Sequence, residues 1–227
     1  PIRNDYPEND YLQKIRQITQ EQNIVLVFDE ITAGFRLCPG GSHRVLGVNP
    51  DIAVFAKAMT NGYPVSAIIG TKEIMQAAQE TFISSTFWTE RIALAAAVKS
   101  IECYIKYDVA KRQDEVGKKV CEGWRKAASQ TGLPIHISGI KPLSHFEFEY
   151  DNKLAYKTYF TQEMLKKGFL AATAVYASYA HTDEIIDKYL RACKEVFENI
   201  VSINNKGENI EKHLQGPICH AGFERLN

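Results

Sequence analysis

Residues 24–36 read Ile-Val-Leu-Val-Phe-Asp-Glu-Ile-Thr-Ala-Gly-Phe-Arg, and the first seven decide the fold. Ile24–Phe28 is a short continuous apolar run closed by Asp29. Its length and β-branching predict a buried, parallel strand. Downstream, Glu30–Val48 is rich in Gly and polar residues and predicts a loop. Ile52–Ala56 is a second short run ending at Lys57, and Val65–Ile69, after the turn signal Thr60-Asn61-Gly62-Tyr63-Pro64, is a third. Upstream, Tyr11, Leu12, Ile15 and Ile18 share one face of a helix expected over Glu8–Asn23. Thr71 is placed to N-cap a helix through Gln79, since its hydroxyl satisfies first-turn N–H groups. Strands alternating with helices indicate an α/β sheet.

The pattern then changes. Thr89–Lys106 and Asp108–Gln130 read as successive helices, with Asp108 as N-cap of the second and Gly132-Leu133-Pro134 as its stop. Pro134–Gly139 and Leu143–Tyr150 alternate like antiparallel strands, with Phe146, Phe148 and Tyr150 on one face. Lys153–Lys167 is helical with Gly168 as C-cap. A last helix starts at Thr182, carries Asp183 and Glu184 against its dipole, and runs to about Asn204. The switch near Tyr107 predicts two domains, 1–107 and 108–227.

Lys+Arg and Asp+Glu balance at 27 each, with no basic cluster, which disfavours a nucleic-acid partner. Apolar runs fall far short of a membrane span, and Pro1–Asp10 is no signal peptide. Five cysteines without C-x-x-C spacing point to reduced thiols in a cytoplasmic protein, and no His/Cys pattern suggests a metal site.

Ligands bind at the carboxyl ends of parallel strands, where both Asp29 and Lys57 are expected. Taken singly each has a bland reading: an ion pair or cap for Asp29, a surface lysine for Lys57. Together they suit pyridoxal phosphate. A carboxylate keeps the pyridine nitrogen protonated, and a lysine forms a Schiff base with the aldehyde carbon.

Several motifs carry a resemblance. Val27–Arg36 resembles the D-E-V-x-x-G-F-R motif of class III, fold type I pyridoxal-phosphate aminotransferases. Pro50-Asp51-Ile52-Ala53-Val54-Phe55-Ala56-Lys57 resembles their lysine motif, and Val65–Gly70 the strand that follows. Ser85-Thr86-Phe87 matches the phosphate-contacting [GS]-T-[FL], and Ser178–Thr182 the S-x-A-H-T helix start. The closest resemblance is to glutamate-1-semialdehyde aminomutases and similar aminotransferases. It implies the C-terminal part of a large mixed-sheet cofactor domain plus a small α+β domain. It also implies a homodimer with the site shared between subunits. Lys57 would hold the cofactor and carry the proton between substrate carbon and cofactor C4′. Asp29 would pair with the pyridine N–H, Ile31 would pack on one ring face, and Thr86 would donate to the phosphate. Glu30 would support the site by hydrogen bonding.

The implied reaction moves an amino group from an amine donor to a carbonyl acceptor. An intramolecular aminomutase is the alternative. The family's T-x-S-G-N-P is replaced by Thr86-Phe87-Trp88-Thr89-Glu90-Arg91, which favours a specialised acceptor such as a modified sugar or acid. Two other readings compete. Ile24–Glu30 also fits a Walker B strand of an ATPase, although no G-x-x-x-x-G-K-[ST] occurs. A non-catalytic binding subunit is the other, disfavoured by the presence of Lys57 and Asp29. Family members run to about twice this length. The chain is therefore expected to be the C-terminal half of such a protein, and to bind the cofactor weakly or not at all by itself.

Overall fold

The computed structural model describes residue 7 and residues 10–221. Contacts divide the chain into two units, one reaching to Gln113 and one starting at Asp114.

The first unit opens with α1 (Tyr11–Glu21) and β1 (Val27–Asp29). The first two residues of the helix expected over Glu8–Asn23 lie outside the described residues. A short helix, α2 (His43–Leu46), interrupts the expected loop, and β2 (Ile52–Phe55) follows. A single 3-10 turn spans Lys57–Met59 before β3 (Ala67–Gly70), α3 (Lys72–Gln76) and α4 (Arg91–Lys106). The sheet order is β1-β2-β3. β1 and β2 are parallel, pairing Val27 with Ile52 and Asp29 with Val54. β3 returns antiparallel to β2.

Asp51 ties the sheet to α1. Its carboxylate accepts the Leu26 N–H at 2.8 Å and pairs with the Arg16 guanidinium at 3.1 Å. The core of this unit is small: Phe35, Ala53, Phe55, Met59 and Tyr104. Phe35 sits edge-on to Phe55 and Tyr104 at 5.9 and 5.7 Å, a favoured aromatic geometry.

Three expectations need correction here. β1 is parallel but not buried: Val27 is 51% exposed, and Ile24 and Val25 are exposed too. It is an edge strand, and the described residues do not cover its apolar side chains. Thr71 stands before α3 without donating or accepting a side-chain cap bond, and regular helix ends at Gln76, tightening into a 3-10 turn. α4 is capped by Glu90, whose two carboxylate oxygens accept the Ile92 and Ala93 N–H groups at 2.6 and 2.9 Å. The helix therefore begins two residues later than Thr89.

α5 (Val109–Thr131) runs through the division between the units. Asp108 precedes it at φ +46°, a left-handed conformation that Asp tolerates. The second unit continues with β4 (Ile135–Ser138), β5 (Leu143–Phe148), α6 (Lys153–Lys166), β6 (Ala174–Tyr176) and α7 (Asp183–Asn205). Its sheet has three strands, not two. β4 and β6 flank β5, and both pairings are antiparallel. β6 is three residues long and follows a turn held by Phe169 N–H to Met164 C=O, with Gly168 at φ +85°.

One core serves this unit. α7 buries Ile186, Tyr189, Cys193, Val196, Ile200 and Ile203, a stripe at helical spacing. Its start matches expectation to within a residue, and the Thr182 hydroxyl caps it by accepting the Ile185 N–H at 3.3 Å. Phe146 is wholly buried at the centre, ringed by Trp124, Phe148, Phe160 and Phe197. α5 crosses the backbone of residue 141 closely enough that only glycine fits at 117: a Cβ there would lie 2.0 Å from the Lys141 carbonyl oxygen.

All five cysteines are free thiols, and Cys121 and Cys193 are buried. Burial pushes the Cys193 thiol up to about 12. Among the described residues no helix is long and apolar enough to cross a membrane, and no group of three or more His, Cys, Asp or Glu residues is arranged to hold a metal ion.

Candidate active site

The parallel pairing of β1 and β2 brings Asp29 and Lys57 to the same sheet edge. Asp29 ends β1 opposite Val54, and Lys57 lies two residues beyond Phe55, the last residue of β2. The chain turns sharply after each strand, and both turns are pinned.

After β1, the Glu30 N–H extends the ladder to Val54 C=O at 2.9 Å. The Asp29 carboxylate folds back to accept the Ile31 N–H at 3.0 Å. Gly34 N–H closes the turn onto Glu30 C=O at 2.8 Å. A Cβ at position 34 would sit 2.6 Å from that oxygen and 2.8 Å from the Phe55 ring, so glycine is required for close approach.

Glu30 is buried, 1% exposed. Its carboxylate accepts the Ser42 N–H at 3.0 Å, the Ser42 hydroxyl at 2.8 and 2.9 Å and the His43 N–H at 3.0 Å. His43 Nδ1 lies 3.0 Å from the same group. A carboxylate only accepts, so this contact selects the Nδ1–H tautomer. Glu30 thus clamps the start of α2 beneath the turn that carries Asp29, Ile31 and Thr32. Glu30→Ala should cost about 2–3 kcal/mol, because it strands the buried Ser42 N–H and hydroxyl and the His43 N–H. Glu30→Gln, which keeps one carbonyl acceptor, should cost less. Denaturant unfolding checks this; a loss below about 1 kcal/mol for the alanine variant would show that water substitutes for the carboxylate.

After β2, Lys57 adopts φ +45°, in the left-handed region that L-residues avoid. Its carbonyl accepts N–H groups from Thr60 and Asn61 at 3.3 and 3.2 Å, and Thr60 is itself buried with its hydroxyl on Tyr63 C=O at 2.5 Å. These contacts hold the unusual backbone in place. The Lys57 side chain is exposed, and its Nζ donates to the Thr32 hydroxyl at 2.6 Å.

The remaining predicted residues are less concentrated. Ile31 is half-buried in the turn after β1. Thr86 lies in Thr81–Thr89, where every residue is exposed, including Phe87 at 76% and Trp88 at 59%. Among the described residues no hydrogen bond joins Thr86 to Asp29 or Lys57. Sequence reasoning missed Thr32, because it occupies a position the motif leaves variable, and it missed Ser42 and His43, which sit in an apparent loop.

The family profile for class-III aminotransferases matches residues 5–197. The chain belongs to the class-III aminotransferase family. It is 32% identical over 195 residues to a 3-aminobutyryl-CoA aminotransferase of Cloacimonas acidaminovorans, covering 83% of this chain and 47% of that protein. It is also 32% identical over 206 residues to a glutamate-1-semialdehyde 2,1-aminomutase of Nitrosopumilus maritimus, covering 82% of this chain and 48% of that protein. The fold matches the structure of the FumI protein of Sphingopyxis sp. MTA144, solved with pyridoxal phosphate, at a TM-score of 0.82 and 24% identity, over 86% of this chain and 48% of that one. The chain therefore spans about half the length of the relatives it matches.

Proposed function

We propose that this chain supplies the lysine-bearing half of a pyridoxal-phosphate-dependent aminotransferase site. The observation that carries the reading is the β1–β2 register: it sets a carboxylate and a lysine at one sheet edge, and the lysine nitrogen reaches the turn that follows the carboxylate. An amine and a carboxylate so grouped fit two members of the donor set this cofactor requires.

When bound, pyridoxal phosphate supplies a protonated ring that withdraws electrons from the carbon bearing the amino group. Asp29 holds the proton on the ring nitrogen. Ile31 packs on one ring face. Lys57 Nζ would hold the cofactor's aldehyde carbon and would serve as the proton carrier between the substrate carbon and C4′. Thr86 donates its hydroxyl to the phosphate, in a homodimer to that of the neighbouring subunit. The substrates are a small amine donor and a carbonyl acceptor, and the protein works in the cytoplasm.

An aminomutase uses the same residues and keeps the amino group in one molecule; the aminomutase relative makes it the second reading. The ATPase reading loses its base, because Glu30 is buried and engaged by Ser42 and His43. The test is direct. The full-length protein, given pyridoxal phosphate and then borohydride, should carry the label on Lys57, and an amine donor should yield its keto product. A protein that binds the cofactor without releasing that product would be a binding subunit. One that takes no label at Lys57 would end the reading.

A further inference from the structure

Thr32 has no task in the reading so far, yet its hydroxyl is the hydrogen-bond partner of the reactive nitrogen, 2.6 Å from Lys57 Nζ. We propose that Thr32 is a positioning residue for Lys57: its oxygen accepts one N–H of the ε-amine and so aims the nitrogen's lone pair at a carbonyl carbon bound beside it. The inference rests on the cofactor reading and adds to it a residue that sets how fast Lys57 reacts.

Both ends of the contact are anchored. Thr32 sits in the turn closed by Gly34 N–H on Glu30 C=O, and its own carbonyl accepts the Arg36 Nε–H at 3.4 Å. Its β-branched side chain is stiff at χ1, which fixes the hydroxyl in space. Lys57 is held at its backbone by Thr60 and Asn61, but its four-carbon stem would otherwise sample many rotamers. One hydrogen bond at the tip selects among them.

The choice of a hydroxyl has a chemical consequence. A carboxylate in this place would favour the ammonium form, which has no lone pair to attack with. A hydroxyl is a neutral acceptor. It takes one N–H and adds no charge beside the nitrogen, so the lone pair that must attack is not tied up by its partner. When that lone pair attacks a carbonyl, the carbon–nitrogen bond forms as the π bond opens and its electron pair moves to oxygen; the carbon–oxygen single bond breaks afterwards. The oxygen leaves as water with the two hydrogens of the amine.

The experiment uses full-length protein freed of cofactor, with unphosphorylated pyridoxal as the probe, borohydride to trap it, and peptide mapping to count label at each lysine. Thr32→Val keeps the shape and removes the hydroxyl; it should slow labelling of Lys57 about five- to tenfold and leave other lysines unchanged. Thr32→Ser restores the hydroxyl and should label within about twofold of the parent. In turnover, Thr32→Val should lower kcat while the donor KM stays within about twofold. Equal labelling of parent and Thr32→Val overturns the proposal, as does equal slowing in Thr32→Val and Thr32→Ser, which would trace the effect to something other than the hydroxyl. A parent protein that takes no label at Lys57 overturns the cofactor reading itself, a different result from either.

Discussion

Lys57→Ala should reduce turnover by about 10⁴-fold, with the folded state intact. In the proposed role two functions would leave together, the covalent anchor for the cofactor and the proton carrier, and proton transfer by a placed side chain is alone worth about 10²–10⁴. Stability should barely change, because the side chain is exposed and its hydrogen-bond partner, Thr32, is itself only half-buried. The backbone gives a control. At φ +45°, Lys57→Gly should be more stable than Lys57→Ala by about 1 kcal/mol, since glycine enters the left-handed region without a Cβ penalty. Parallel measurement of initial rates and thermal midpoints for the two variants checks both parts. Turnover within tenfold of the parent in Lys57→Ala would refute the role. A glycine variant less stable than the alanine one would refute the account of the backbone.

The second large effect is structural. Phe146→Ala should destabilise the second unit by about 3–5 kcal/mol. The ring is wholly buried and lies 4.9 Å from Trp124, 5.4 Å from Phe148, 5.3 Å from Phe160 and 5.7 Å from Phe197, so truncation opens a cavity bounded by rigid rings that cannot collapse into it. Edge-to-face contacts add to the lost burial. A domain holds only about 5–15 kcal/mol in all, so the variant should sit close to the edge of folding. Phe146→Leu, which keeps most of the volume, should cost about half as much. Urea unfolding followed by the fluorescence of buried Trp124 reads the loss. A cost under about 1.5 kcal/mol would mean that the rings repack.

The strand ends were legible in sequence because burial and chemistry wrote them together. Apolar runs closed by Asp29 and near Lys57 mark both the strands and their carboxyl edge, and the structure places the two residues there. The long helices were legible for a similar reason: α7 repeats its apolar residues over many turns, and Thr182 is a strong cap. Short elements were not. β6 spans Ala174–Tyr176 and is defined by its pairing with β5, a long-range property that three residues do not advertise. Glu90 ranks low among N-caps in general, but its two oxygens meet two N–H groups at once. The exposure of β1 was hidden because an apolar run reports what a strand can bury, not what lies against it. Thr32 was hidden because a hydrogen bond across 25 residues has no local signature.

The burial of Cys193 gives the second unit a chemical clock of its own. The thiolate is the species that alkylating reagents attack, and a thiol held near 12 and fully enclosed offers almost none at neutral pH. Modification of Cys193 must await an opening of the α7 core, so its rate counts such openings. Lys57, exposed and in the other unit, should be open to carbonyl reagents without any such opening. The two units can therefore be followed in one sample by two orthogonal reagents, one that reports access to Lys57 and one that reports breathing of the α7 core.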